Sequence, residues 1–159
     1  MHHCANDPAH LKFVPYYTVY CGHSCDTHSK PSIGGHVAIF DFEGQQEFYG
    51  GHIIDSNAPH TALIGVIKAT KHLPDDGKPA LILTSSGYVV EGIESCKGPW
   101  PQRHWKNVKN PKEWQLLYGM GERRDIFWCK PYKSEPCKLL LQANEMAKKV
   151  VNRERKARQ

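Results

Sequence analysis

The clearest pattern in the chain is an unbroken apolar run followed by hydroxyl side chains and then by a helical repeat. Residues 80–83 read Ala-Leu-Ile-Leu, which is typical of a strand covered on both faces. Thr84, Ser85 and Ser86 can cap a helix, and apolar residues recur at helical spacing as far as Ile93. Ligands and catalytic groups gather at the carboxyl end of such a strand in open α/β sheets.

Alternating apolar and polar residues before this strand predict three more strands and a helix. The strands are predicted at residues 16–21, 36–42 and 46–54, and the helix at residues 58–73. Residues 22–35 are rich in Gly, Ser, Asp and Pro and predict a loop. Glu43-Gly44-Gln45 predicts a hairpin turn, so the three strands form an antiparallel meander.

Strand and helix patterns alternate in the second half of the chain. Two helices, a strand and a long helix are predicted at residues 86–96, 110–118, 125–129 and 138–155. This alternation favours parallel pairing at one edge of the same sheet. The fold class is therefore α/β, with a mixed five-stranded sheet of three antiparallel and then parallel strands, flanked by helices.

Composition narrows the possible classes of protein. A chain of 159 residues with 40% hydrophobic residues suits one domain with one core. No stretch is long and apolar enough to predict a membrane span, and residues 1–9 show no apolar secretory segment. Six irregularly spaced cysteines favour a reducing compartment. We therefore expect a nuclear or cytoplasmic protein without a membrane partner.

The net charge of +5 is concentrated at the C-terminus. Residues 148–159 carry six basic side chains and one acidic side chain, which leaves 15 of each sign in the rest of the chain. We predict a flexible N-terminal arm at 1–14, a domain at 15–147 and a basic tail at 148–159. The tail either attracts nucleic acid or another acidic surface, or is a solvated helix end. Its candidate binding residues are Lys148, Lys149, Arg153 and Arg155.

Several segments resemble the ribonuclease H (type 1) family. Residues 83–93 read Leu-Thr-Ser-Ser-Gly-Tyr-Val-Val-Glu-Gly-Ile, which is similar to the family segment Tyr-Thr-Asp-Ser-x-Tyr-Val-x-x-Gly-Ile. Shorter matches follow the family order at residues 20–22, 60–69, 105–110, 114–117, 126–128 and 143–147. The resemblance covers about residues 17–147, and the fold that it implies is the predicted mixed five-stranded sheet.

The resemblance also implies where the catalytic residues should be. In the family, four carboxylates converge on two magnesium ions, which are hard cations that prefer oxygen ligands. In this chain the four positions hold Cys21, Ala62, Ser85 and Asn144. The resemblance therefore implies a degenerate member without a cofactor, a pseudo-nuclease rather than an enzyme. A rebuilt magnesium site is the alternative, and its nearest acids are Asp26, Asp55 and Glu145.

Residues 98–109 resemble the basic protrusion with which family members hold their substrate. Trp100, Arg103, Trp105 and Lys106 are of the types that grip phosphates and stack on bases. In the alternative interpretation, the two tryptophans pack this short segment against the domain.

A second cluster raises the possibility of zinc or of a nucleophile. Cys21, His23, Cys25 and His28 are ligand types that zinc accepts, although their spacing matches no common finger. In the simpler alternative, Cys21 is a small buried apolar residue and the histidines are loop residues. A nucleophilic Cys21 with His23 would need an orienting group and an oxyanion site, and the sequence indicates neither.

Taken together, these features predict a binding or scaffold module. We expect it to dock on a protein partner in a nucleic-acid-associated assembly, such as a ribonucleoprotein or RNA-silencing complex. The first alternative is a protein that binds RNA or RNA/DNA hybrid without cleaving it. The second is an active metal-dependent ribonuclease H with a rebuilt site.

Overall fold

The computed structural model describes residues 2–4 and 16–159, arranged as one mixed sheet with five helices in that part of the chain. The strands are β1 (His2–Cys4), β2 (Tyr17–Asp26), β3 (Ile33–Phe42), β4 (Gln45–Ile54), β5 (Ala80–Thr84) and β6 (Ile126–Pro131). The helices are α1 (Ala58–His72), α2 (Gly87–Cys96), α3 (Pro99–Gln102), α4 (Pro111–Met120) and α5 (Lys138–Ala157). None of the helices described is long and apolar enough to cross a membrane.

The strand order in the sheet is β1-β6-β5-β2-β3-β4. Strands β2, β3 and β4 form an antiparallel meander, and β5 and β6 continue the sheet in parallel with β2. The predicted five-stranded mixed sheet is therefore confirmed. Strand β1 adds a short antiparallel edge next to β6, within the segment predicted as a flexible arm. The other residues of that segment lie outside the described residues.

The loop predicted at residues 22–35 is wrong at both ends, because β2 continues to Asp26 and β3 begins at Ile33. The glycines that suggested a loop instead allow α5 to approach the sheet. A Cβ at Gly22 would lie 2.2 Å from the carbonyl carbon of Ala143. A Cβ at Gly35 would lie 2.5 Å from the carbonyl oxygen of Ala147. Only glycine, which has no side chain, therefore fits at these two positions between the strands and the helix.

The hairpin between β3 and β4 has the turn that its sequence predicts. Glu43 and Gly44 have φ angles of 50° and 85°, as a two-residue turn with left-handed backbone requires. The turn sets a register in which Phe42 pairs with Gln45.

Apolar side chains pack on both faces of the sheet. On one face, α1 buries Leu63 and Val66 against β2 and β3, and α4 adds the fully buried Trp114. On the other face, Leu140 of α5 packs with Leu83 and other side chains. Helices α1 and α5 thus cover opposite faces of the sheet, each with one stripe of its surface.

The basic C-terminal segment belongs to a packed helix. Helix α5 crosses the predicted boundary after residue 147 without a break and ends at Ala157. Val151 is 3% exposed and packs close to Gly35, so an apolar contact holds this part of the helix on the sheet. The segment predicted as a basic tail at 148–159 is therefore helical as far as Ala157, and Val151 packs it on the sheet.

Two helical glycines give a direct test of this packing. A Cβ at Gly92 would lie 2.0 Å from the Trp114 ring, whereas a Cβ at Gly119 would meet no atom within 4 Å. We predict that Gly92→Ala lowers the free energy of unfolding by about 2 kcal/mol because it overpacks the core. Gly119→Ala should leave it unchanged or raise it by less than about 1 kcal/mol through helix propensity. Urea denaturation measures both, and equal effects would contradict the Trp114 contact.

Candidate nucleic-acid interface

The four positions that the resemblance singled out lie around the middle of β2 and the carboxyl end of β5. Cys21 pairs with Thr84 across these parallel strands, and Ser85 follows directly. Ala62 of α1 belongs to the same buried cluster as Cys21. Asn144 of α5 accepts a hydrogen bond from the backbone N–H of His23 at 3.0 Å. The fold therefore brings together residues that are 123 positions apart in the chain.

These four side chains do not fit a pair of magnesium ions. Burial raises the pKa of the Cys21 thiol to about 12, which keeps it neutral, and a thiol is a soft ligand. Ala62 has no ligand atom, and Ser85 has a neutral hydroxyl. The side-chain oxygen of Asn144 already accepts the hydrogen bond from His23.

The acids considered for a rebuilt site are placed elsewhere. Asp26 binds Arg155 Nη1 at 2.6 Å and the Ser29 hydroxyl at 2.9 Å. These contacts, with that to the His28 backbone, hold the pKa of Asp26 well below its ordinary value. Asp55 and Glu145 are exposed. Among residues 2–4 and 16–159, no three His, Cys, Asp or Glu side chains are grouped to hold a metal ion.

The four candidate zinc ligands do not form a metal-binding group among the described residues either. Cys21 is buried and His28 is exposed, while the Cys25 thiol donates to the Ser56 carbonyl at 3.6 Å. Burial lowers the pKa of His23, and its Nδ1 has no hydrogen-bond partner among the described residues. The neutral Cys21 thiol also lacks the lowered pKa of an activated nucleophile.

The region around Cys21, Ala62, Ser85 and Asn144 is the cleft of this domain, and a polar network borders it at the start of α1. The Ser56 hydroxyl lies 2.9 Å from both His60 Nδ1 and the Thr61 hydroxyl. Asn57 caps the helix by accepting a hydrogen bond from the His60 backbone N–H at 2.9 Å. These contacts fix the entry of α1 beside the end of β2.

Lys130 brings a positive charge to the cleft, and the sequence analysis missed it. A Cβ at Gly87 would lie 3.3 Å from Lys130 Nζ and 3.9 Å from a Glu91 carboxylate oxygen. The ammonium group therefore lies beside the first turn of α2, which Ser86 caps. Helix N-termini attract anions. The predicted parallel sheet could have indicated the position of Lys130. Parallel pairing of Leu83 with Cys129 places residue 130 at the same edge of the sheet as Thr84.

The protrusion at residues 98–109 divides into a packed part and an exposed part. The Trp100 ring lies 6.1 Å from that of Trp105 and 5.3 Å from that of Trp114, and both Trp100 and Trp105 pack against the core. Arg103 and Lys106 are exposed. The tryptophans therefore pack the segment against the domain, as in the alternative interpretation. Arg103 and Lys106 remain available for phosphates.

The basic residues of α5 lie on a different side of the domain. Lys148, Lys149 and Arg153 are exposed, whereas Arg155 is paired with Asp26. Helix α4, which follows the protrusion, packs against α1 and α2, and α5 packs on the other face of the sheet. The two predicted groups of nucleic-acid-binding residues therefore do not form one surface.

Comparison with known proteins identifies the family. The family model described as RNase H matches residues 15–156. The chain belongs to the ribonuclease H family. Ribonuclease H of Dichelobacter nodosus is 28% identical over 150 residues, which cover 88% of this chain and 92% of that protein. Ribonuclease H of Pseudomonas savastanoi pv. phaseolicola is 33% identical over 104 residues, covering 62% of this chain and 68% of that protein.

Solved structures show the same ribonuclease H-like fold. A foamy viral protease-reverse transcriptase in complex with dsDNA aligns with a TM-score of 0.74 at 17% identity, covering 86% of this chain and 94% of that chain. LC9-RNase H1, a type 1 RNase H with the type 2 active-site motif, aligns with a TM-score of 0.71 at 20% identity. This alignment covers 87% of this chain and 72% of that chain.

The prediction that this ribonuclease H family member is not an enzyme, but a pseudo-nuclease, is contradicted by these relatives. They are named Ribonuclease H, which is the name of an enzyme, and the first one matches this chain through nearly its full length. The replaced residues at four positions were an insufficient basis for that prediction.

The ion pair that joins β2 to the end of α5 is testable by its pH dependence. The lowered pKa of Asp26 means that its carboxylate stabilises the fold above its ordinary pKa of 3.8, and that this contribution is lost as the pH falls below that value. We predict that Asp26→Asn lowers stability at pH 7 and that its difference from the wild type shrinks below about pH 4. Thermal unfolding from pH 8 to pH 3 measures this.

Glu145→Gln is the matched control, since Glu145 is an exposed acid on α5. It should shift stability little at any pH. A difference between Asp26→Asn and the wild type that stays constant down to pH 3 would show that charge is not the cause.

Proposed function

We propose that the protein binds RNA/DNA hybrid along the side of the domain that carries the cleft and the protrusion. Lys130, beside the N-terminus of α2, takes a backbone phosphate in the cleft. Arg103 and Lys106 take phosphates further along the duplex. The observation that carries this proposal is the position of the Lys130 ammonium group next to Gly87.

Electrostatics supports the assignment of a phosphate to the cleft. The backbone N–H groups of the first turn of α2 and the Lys130 ammonium present positive charge from two elements of the fold. Cys21 is neutral, and Ser85 is an exposed hydroxyl that can donate to a phosphate oxygen. Glu91 is the acid close to this position, so it should weaken anion binding.

The protrusion supports contacts outside the cleft. Its packed tryptophans anchor the segment, and His104, Trp105 and Asn107 have left-handed φ angles of 54°, 62° and 62°. Such angles are uncommon for residues other than glycine, and they set a tight turn that leaves Arg103 and Lys106 at the surface.

A structural relative adds support at the level of the fold. A foamy viral protease-reverse transcriptase in complex with RNA/DNA hybrid aligns with a TM-score of 0.67 at 20% identity, covering 93% of this chain and 21% of that chain. The relatives named Ribonuclease H favour the same class of ligand.

Binding of a labelled hybrid, measured by fluorescence anisotropy at several salt concentrations, tests the proposal. We predict that Lys130→Gln weakens binding by about fivefold or more, since a charge-assisted hydrogen bond is lost. The slope of log affinity against log salt should fall by about 1 per phosphate contact removed. Arg103→Gln and Lys106→Gln should act in the same direction, and Glu91→Gln should strengthen binding.

Lys148→Gln is the matched control, because it removes a basic charge on the opposite face of the sheet. It should change hybrid affinity by less than about twofold. Equal losses in Lys130→Gln and Lys148→Gln would show that binding is set by net charge, and failure of the wild type to bind any hybrid at low salt would end the proposal.

Hydrolysis of the RNA strand is the second candidate function, and the name of the curated relatives favours it. On this second candidate, and although the four side chains do not fit a pair of magnesium ions, a labelled hybrid is cut in its RNA strand in buffer that contains Mg²⁺ or Mn²⁺. Asn144→Ala should lower the rate by about tenfold, because Asn144 holds the backbone of β2 at the cleft.

Glu122→Gln, purified in the same way, controls for nuclease carried over from the expression host, since Glu122 is exposed and lies near Ile126 at the start of β6. Equal cleavage by Asn144→Ala and Glu122→Gln would assign the activity to a contaminant. Absence of cleavage with either metal ion would remove this candidate.

Docking on a protein partner within a ribonucleoprotein or RNA-silencing assembly stays a prediction. The choice between nucleus and cytoplasm also stays a prediction.

A further inference from the structure

Strand β4 forms a long edge of the sheet. It pairs with β3 through ten consecutive residues in one register, from Ile54 opposite Ile33 to Gln45 opposite Phe42. The uninterrupted register contains no bulge, and the strand contains no Lys or Pro. Bulges, Lys and Pro usually protect a strand edge from pairing with another strand, and β4 lacks all three. Within the described residues, β4 has no second strand partner.

A groove runs along this edge between β4 and α5. Its cavity of about 400 Å³ is lined on the strand side by Phe48 and on the helix side by Met146 and Val150. Phe48 is 51% exposed. Lys149 and Arg153 line the same groove, so an apolar floor is flanked by two basic side chains.

The charge of this groove is positive. Lys149 and Arg153 are exposed, and no acid among residues 16–159 forms an ion pair with either. Glu154 is engaged by Arg158 at 3.0 Å and lies 3.6 Å from His52. Glu47 of β4 lines a separate cavity with Tyr17, on the sheet face that α1 covers. An acidic ligand in the groove would therefore meet mainly basic side chains.

We propose that this edge binds an extended acidic segment of a partner protein, which adds a strand next to β4. The backbone of the segment pairs with the outward N–H and C=O groups of β4, as in other cases of strand addition. Its alternate side chains face α5, where carboxylates meet Lys149 and Arg153. The intervening side chains face Glu47, and we expect them to be uncharged.

A second copy of this chain fits the edge less well. Two copies joined by antiparallel β4 strands would be related by a two-fold axis perpendicular to the sheet. Both α5 helices would then lie on the same face, and the four basic side chains of the two grooves would approach one another. Like charges at close range disfavour that arrangement, whereas an acidic strand neutralises them.

Nucleic acid also fits the edge less well than a peptide. A phosphate chain could contact Lys149 and Arg153, but its backbone lacks the regular N–H and C=O groups that pair with a strand edge. The groove also lies on the α5 face, away from the protrusion and α1. The peptide site is therefore independent of the proposed hybrid site, and both ligands can be bound at once.

The probe for this site is a fluorescein-labelled eight-residue peptide that alternates glutamate and valine. We expect it to bind the intact protein, with hydrogen exchange slowed in β4. Lys149→Glu and Arg153→Glu should each weaken binding by about tenfold, and Lys148→Glu, which makes the same charge change outside the groove, by less than about twofold. A peptide that alternates lysine and valine should bind at least about tenfold more weakly.

Two further measurements separate strand addition from other ways of binding. Methylation of those peptide nitrogens that face β4 should abolish binding. It removes the N–H groups that donate hydrogen bonds to the β4 carbonyl oxygens. Phe48→Ser should weaken binding while leaving hybrid affinity unchanged, since Phe48 lies outside the proposed hybrid surface and the change adds no charge. Circular dichroism confirms that each variant is folded.

Four results would overturn the proposal. The first is full binding by the methylated peptide, and the second is an equal loss of peptide affinity in Lys148→Glu and Lys149→Glu. The third is a β4-dependent dimer, seen by light scattering, that excludes the peptide. The fourth is competition between the peptide and single-stranded RNA for Lys149 and Arg153. The last two would assign the edge to a second copy of the chain or to nucleic acid.

Discussion

The close approach of α5 to the sheet is the constraint on which most of this structure depends. Gly22 and Gly35 bring the helix backbone against β2 and β3, at distances that any side chain would prevent. This approach sets Asn144 against the backbone of His23. It also lets Arg155 reach Asp26. The packing of the α5 backbone on the two strands therefore positions both Asn144 and Arg155. The cleft and the basic groove are therefore consequences of the same packing.

The cleft combines family geometry with different chemistry. The middle of β2, the end of β5 and the facing helices meet as the ribonuclease H resemblance implies. Cys21 is nevertheless buried and neutral, and Asn144 is used in a structural hydrogen bond. The charge beside the N-terminus of α2 is that of Lys130. A cation near a helix N-terminus favours a phosphate in direct contact with protein groups. Relatives of this chain are named Ribonuclease H, so hydrolysis stays a candidate function.

Two surfaces with different physical character follow from the two-sided sheet. The side with α1, α2 and the protrusion presents isolated cations beside polar groups, which suits the spaced phosphates of a duplex. The α5 side presents a strand edge, an exposed Phe48 and two basic residues, which suits an extended acidic peptide. If both proposed sites are occupied, nucleic acid and a protein partner bind together, because the sheet separates the two surfaces.

The amino-acid sequence alone determined five of the six described strands, four of the five described helices, their order and the family. Periodic apolar positions mark strands and helices, and the Glu43-Gly44 turn sets the hairpin, because these signals depend on neighbours in the chain. Contacts between distant residues decided the rest. The glycines read as a loop are sites of helix packing, Arg155 belongs to an ion pair, and Trp100 and Trp105 anchor the protrusion. Lys130 enters the cleft through the pairing of β5 with β6. Local pattern cannot reveal which atoms meet across 100 residues, because that depends on how the faces of the sheet are covered.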